Sequence, residues 1–168
     1  MKRQKRNNKG LSLVELIVVV AIMGVVMVGG VVTLGLIHNA SAKEASAKLN
    51  SALNKTRTEA MSKASASVEI YEGADSKYYA DYYIAGTKRE TVYIGSSRVD
   101  ISYMDTNGTN DIEDDDKLII SFDRETGAFL PIGSAGNVNV YCREIYIESG
   151  HKTYTIQCEK LTGKTTVK

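Results

Sequence analysis

Past Lys9, in "KGLSLVELIVVVAIMG", Glu15 is the one charged side chain at the start of a long apolar stretch. On insertion scales a carboxylate inside a membrane helix costs about 2.5–3.5 kcal/mol, and it persists where a partner neutralises it. A second group of residues could bind a cation. The stretch "DTNGTNDIEDDD" places Asp105, Asn107, Thr109, Asp111, Glu113 and Asp116 on alternate slots or at the loop's end, with Ile112 as an inward apolar residue. Calcium takes clustered oxygen ligands in an EF-hand loop of this general spacing. Two features depart from that pattern. Thr109 replaces a carboxamide or carboxylate, and Asn110 stands where Gly makes the sharp turn, although Asn tolerates positive φ better than most residues. Asp114, Asp115 and Asp116 would repel one another without a cation. A calcium loop and a solvated acidic turn both stay open.

Cys142 and Cys158 are the only cysteines. A hairpin turning at Ser149-Gly150 decides whether they meet. A two-residue loop sets Cys142 opposite Gln157. A three-residue loop that adds His151 sets it opposite Cys158, with Tyr146 facing Tyr154 and Glu148 facing Lys152. The second register makes the better cross-strand pairs, so a Cys142–Cys158 disulfide is expected, with two separate thiols as the alternative. Zinc wants four ligands, and the chain has two His. His38 falls at the edge of the apolar run and His151 in a turn, both read as solvated or interfacial. No phosphate loop, metal-binding His pair or nucleophile elbow occurs. The expectation is a protein that is not an enzyme, with no cofactor beyond the candidate calcium. Lys160, Lys164 and Lys168 with Arg143 and Lys152 offer a small basic face for DNA phosphates, weighed against a net acidic surrounding and few interleaved aromatics.

The elements that carry these residues follow from patterning. The 168 residues suffice for one domain and an appendage. Residues 16–37 contain no charge, and a helix needs about 20 apolar residues to cross a bilayer core. Five of the 21 Lys and Arg residues precede the run, which leaves 16 against 20 acidic residues in the rest of the chain. Basic residues before a span hold that end in the cytoplasm, which puts the following domain outside, where disulfides are permitted. A secretory signal peptide, with Ala40-Ser41-Ala42 as its cleavage site, would have an apolar region of about 7–15 residues; this one is longer. A plain signal anchor fits the length and charge and leaves Glu15 unexplained.

Beyond His38-Asn39 the sequence is rich in Ala, Lys, Glu and Leu. Ala45, Leu49, Ala52, Leu53, Thr56, Ala60 and Ala64 recur at three- and four-residue steps, one apolar stripe of a helix. Gly24, Gly29, Gly30 and Gly35 weaken the apolar half, and Gly29-Gly30 offers a soft bend. From Ser67 the pattern turns to β-branched and aromatic runs: 68–71, 78–84, 91–94, 99–104, 117–122, 140–147 and 153–158, separated by Gly-containing turn signals. One long helix followed by antiparallel strands is an α+β arrangement, with a sheet packed on the outer half of the helix.

The basic residues up to Lys9-Gly10, followed by Leu11-Ser12-Leu13-Val14-Glu15 and the apolar run, closely resemble the N-terminus of type IV pilins and type II secretion pseudopilins. The resemblance implies a leader (1–10) cut after Gly10 by prepilin peptidase, with methylation of the new Leu11 amine. Residues 11–37 would be the transmembrane and filament-core half of the helix, 38–66 its amphipathic half and 67–168 an extracytoplasmic β-rich domain. Glu15 would pair with the terminal amine of a neighbouring subunit during assembly. The family favours Phe where Leu11 stands. The segments "LNSALNKTRTEAMSKASASVEIY", "DISYMDTNGTNDIEDDDKLI" and "YTIQCEKLTGKTTV" further resemble the GspH/FimT minor pseudopilins, through Arg57, Glu59, Ala60, Asp105, Asn107 and Gly108. What this implies is a single-pass protein of the inner membrane, N-terminus in the cytoplasm, that moves into an extracellular filament of like subunits. Its partners would be the peptidase, sister subunits, the assembly platform and its ATPase. The resemblance also implies an alternative: a tip module in the same filament that binds DNA or a surface.

Overall fold

The computed structural model describes residues 12–62, 65–112, 116–132 and 140–168, without the side chains of 27–36. Helix α1 (Leu13–Ser62) is followed by nine strands among these residues: β1 (Ala66–Glu72), β2 (Tyr78–Ile84), β3 (Thr87–Gly95), β4 (Asp100–Met104), β5 (Thr109–Asp111), β6 (Leu118–Ser121), β7 (Glu144–Ser149), β8 (Lys152–Cys158) and β9 (Thr165–Val167). The chain forms two compact units, one ending at Leu36 and one running from Ile37 to Lys168.

In the second unit α1 buries one stripe. Ala42, Ala45, Leu49, Ala52, Leu53, Thr56 and Ala60 are at most 1% exposed. The expected stripe is thus borne out from Ala45 to Ala60, and Ala64 lies outside the described residues. Most of these residues are small because strands come close: a Cβ on Gly95, at the end of β3, would lie 3.3 Å from that of Ala45. The buried hydroxyls in the stripe are satisfied by the helix itself, Ser46 donating to the Lys43 carbonyl at 2.9 Å and Thr56 to that of Ala52 at 2.9 Å. Such back-bonding lets a polar residue sit inside without an unpaired group.

The strands form two antiparallel sheets, not the single one expected: β3-β2-β1-β6 and β5-β4-β7-β8-β9. Their inward residues alternate as a half-buried pleat requires. Val68, Ile70, Ala80, Tyr82, Leu118 and Ile120 from the first sheet join Ile101, Ile145, Ile147 and Ile156 from the second in one core with the helix stripe. Polar ties fasten the rim. Lys55 reaches Glu90 at 2.5 Å and lies over the Tyr82 ring, and Thr165 on β9 donates to Asn50 at 2.5 Å.

Turn chemistry sets the registers. Ala85 (φ 49°) and Gly86 (φ 74°) close the β2–β3 hairpin between Ile84 and Thr87. Positive φ at both central residues is the type I′ arrangement, which suits Asn-Gly better than Ala-Gly. The β7–β8 hairpin turns at Gly150-His151, because Ser149 pairs with Lys152. Only Gly150 takes positive φ there, at 62°, as in a type II′ turn with Gly first. Neither expected register survives. Tyr146 faces Thr155 and Glu148 faces Thr153, in place of Tyr154 and Lys152.

The helix end is fixed at a three-way contact. Arg57 Nε donates to the Gly127 carbonyl at 3.1 Å. Gly127 (φ 69°) closes the turn that starts at Asp123, and Gly163 (φ 64°) closes the one after β8. A Cβ on Gly163 would fall 1.7 Å from the Gly127 oxygen, so no other residue fits. Gly163→Ala should therefore lower stability by more than the roughly 1–3 kcal/mol that a left-handed backbone alone costs a non-Gly residue, read as a lower urea midpoint. In the opposite direction, Ala85→Asn should raise stability by about 0.5–1 kcal/mol by relieving the turn, read in the same melts.

Candidate functional site

The N-terminal unit presents an unusual surface. From Leu13 to Val26 the large apolar side chains of α1 are exposed on every face, from 45% at Val19 to 75% at Val25. A helix that is apolar all round is stable only among lipid tails or other helices. Glu15 is the single charge among these side chains, exposed in the helix's first turn. Among the described residues no helix is long and apolar enough to cross a membrane. The side chains of 27–36 lie outside the described residues, so the expected 11–37 span is covered only in part. Gly10 and Leu11 lie outside the described residues, and Gly29 and Gly30 are described only as backbone within α1.

The helix start puts Glu15 in a place favourable to a carboxylate. Leu16 N–H donates to the Ser12 carbonyl at 3.1 Å, and the helix begins at Leu13. Ser12 is therefore the N-cap and Glu15 the third helical residue, the Ser-x-x-Glu spacing of a capping box. A carboxylate in the first turn is also favoured by the positive end of the helix dipole. The spacing itself was the signal.

Up to Asp111 the acidic stretch is a hairpin: Met104 pairs with Thr109 and Ser102 with Asp111, and β5 runs along β4. Asp105 is buried, and its carboxylate accepts the Asn107 N–H at 2.5 Å and the Gly108 N–H at 2.9 Å. This side chain builds the turn. Asp111 extends along the strand, exposed and two residues beyond Thr109, and Asp116 is exposed past the hairpin. Ile112 points into the core as expected. Glu113, Asp114 and Asp115 lie outside the described residues. Among the described residues no three of His, Cys, Asp and Glu are grouped to hold a metal.

Cys142 and Cys158 are free thiols, the first buried and the second half-buried. They nevertheless line one cleft of about 400 Å³ with Thr106, Tyr141, Arg143 and Lys160. A break in strand alternation brings them together. Residues 140–143 are not part of β7, and both Cys142 and Ile145 are buried, with Arg143 exposed between them. Cys158 N–H donates to the Arg143 carbonyl at 2.8 Å, which seats the two cysteines diagonally. Hydrogen bonding with Cys158, burial, and the nearby charges of Cys158 and Asp105 hold the Cys142 thiol well above its usual range.

Of the candidate basic face, Lys152 sits beside the β7–β8 turn, Lys168 is bonded to Thr155 midway along β8, and Arg143, Lys160 and Lys164 gather at its far end, where Glu144 and Glu159 line the cleft. Seven residues of extended strand separate the two ends, about 20 Å. Lys160 lies over the Tyr141 ring at 3.6 Å. His38 is held by the domain: its Nδ1 is 2.9 Å from Ser149 Oγ, which in turn donates to the Arg98 carbonyl at 2.6 Å. Of the residues carrying the narrower resemblance, Arg57 and Asp105 hold turns and Ala60 fills the core.

Residues 5–31 match the family model described as the prokaryotic N-terminal methylation motif. No curated protein and no solved structure matches the chain. The motif supports a type IV pilin-like or pseudopilin subunit, a structural protein processed by prepilin peptidase and assembled with other pilin subunits. For the acidic hairpin, Asp105→Ala should lower stability by about 1–3 kcal/mol, the loss of two hydrogen bonds to a charged acceptor that hold the turn, equally with calcium or with chelator in the buffer. A calcium-dependent rise in melting temperature that this variant abolishes would support the calcium loop.

Proposed function

We propose that the chain is a minor, GspH/FimT-like subunit of a type IV pilus-like or type II secretion filament, anchored in the cytoplasmic membrane until it is assembled. The observation that carries this reading is the all-round apolar surface of residues 13–26, placed directly after a basic segment and interrupted only by Glu15. Water cannot stabilise such a surface, whereas a bilayer and then a bundle of like helices can. Removal of residues 1–10 would leave an α-amino cation at Leu11, about one helical turn from Glu15. Within one chain the carboxylate sits in the first turn, at the positive end of its own helix dipole. In a filament the amine of a neighbouring subunit would neutralise it, offsetting the cost of carrying a charge into an apolar core. The β-rich unit would face outward. The assembly platform and ATPase would supply the force that extracts the subunit. The lack of Pro in 11–37 supports a minor subunit.

Co-expression with a prepilin peptidase should shorten the chain by the ten residues ending at Gly10, seen by intact mass, and Gly10→Leu should block the cut. A full-length chain in the presence of active peptidase would overturn the leader assignment. Glu15→Val should leave the protein cleaved and membrane-bound while reducing its recovery in sheared filaments at least tenfold; unchanged recovery would remove the amine pairing.

A further inference from the structure

We infer that Cys142 and Cys158 form a redox site with divided roles, in which Cys158 attacks an external disulfide and Cys142 then completes an intramolecular bridge. The site is independent of the filament reading. It stands on three observations. Both cysteines line one cleft of about 400 Å³ that is open to solvent, room for a small disulfide to enter. The thiols are neighbours, joined by the diagonal seating of Cys158 on Arg143. Their surroundings differ: Cys142 is 1% exposed, with its thiol directed at the Glu144 carbonyl at 3.8 Å, whereas Cys158 is half-buried at the end of β8.

Access and ionisation govern which thiol reacts first. Hydrogen bonding with Cys158 and burial keep Cys142 protonated, and at 1% exposed it is the less accessible of the two to an incoming disulfide, so Cys158 makes the first attack. Its thiolate attacks one sulfur of a small disulfide RSSR. That S–S bond breaks, RS⁻ leaves and takes a proton, and Cys158 carries the R–S group. Cys142 then gives its proton to water or buffer and attacks the Cys158 sulfur. The mixed disulfide breaks and the second RS⁻ leaves as RSH. Two protein thiols are oxidised, and one RSSR is reduced to two RSH. The bridge ties the segment before β7 to the end of β8 and encloses their hairpin. Closing a loop of that length restricts the unfolded chain.

Oxidised glutathione is the probe. The full chain, purified in detergent, is exposed to it, quenched with maleimide, and analysed by intact mass and non-reducing peptide mapping. The wild type should lose two hydrogens, yield a Cys142–Cys158 linked peptide, and melt on the order of 5–10 °C higher than its reduced form. Cys142→Ala should stop at a stable glutathione adduct on Cys158. Cys158→Ala should react at Cys142 at least tenfold more slowly than the wild type reacts. Equal reactivity of Cys142 in Cys158→Ala would overturn the division of roles. Two independent adducts, or a disulfide joining two chains, in the wild type would overturn the bridge. Reduced-state melts of both variants identify any loss of fold, and a wild type that fails to lose two hydrogens overturns the site regardless of the variants.

Discussion

Between Ala42 and Ala60 the helix offers its domain a narrow strip of alanines, two leucines and two hydroxyls bonded back to the helix, and both sheets close on that strip. Small side chains allow strand backbones to come near, as at Gly95 against Ala45. The cost of so little side-chain bulk is met by isoleucines from the sheets, which reach inward from β4, β7 and β8. Because the strip is narrow, the end of the helix needs a further fixture, and Arg57 provides it through a backbone carbonyl in the Asp123 turn. The glycines at 127 and 163 exist to let that fixture close.

Much of this was legible in the sequence. The three- and four-residue recurrence from Ala45 to Ala60 gave the buried face of the helix, and alternation gave most strands, Tyr78–Ile84 to the residue. The short strands β5 and β9 were not legible, because Thr109–Asp111 and Thr165–Val167 lack an apolar alternation and are held by pairing alone. The split into two sheets escaped for a related reason, since partner choice is set by the registers of distant strands. At the β7–β8 turn the sequence did hold the answer: a Gly with positive φ belongs first in a two-residue loop, which places the turn one residue later than Ser149-Gly150.

The residues that look most chemical divide into those that build and those that remain available. Asp105 and Arg57 are consumed by backbone groups, and neither role could be read locally, since the Gly127 acceptor lies 70 residues from Arg57. Glu15 was legible as an oddity in an apolar run, and its place in the first turn, where the helix dipole favours a carboxylate, explains part of that oddity without any partner chain. The cysteines were paired in the sequence reading by a register that does not occur. They meet by another route, a lapse of alternation before β7 that no hydrophobic pattern announces.

The seat of His38 has a mechanical consequence. It is the second residue of the Ile37–Lys168 unit, and it and its neighbour Asn39 are gripped by Ser149 and Tyr154, both on the β7–β8 hairpin. Tension arriving along the backbone from the apolar segment is therefore handed at once to the central strands of the larger sheet. There it is shared across the ladders to β4 and β9 instead of peeling the helix away from its first turn onward.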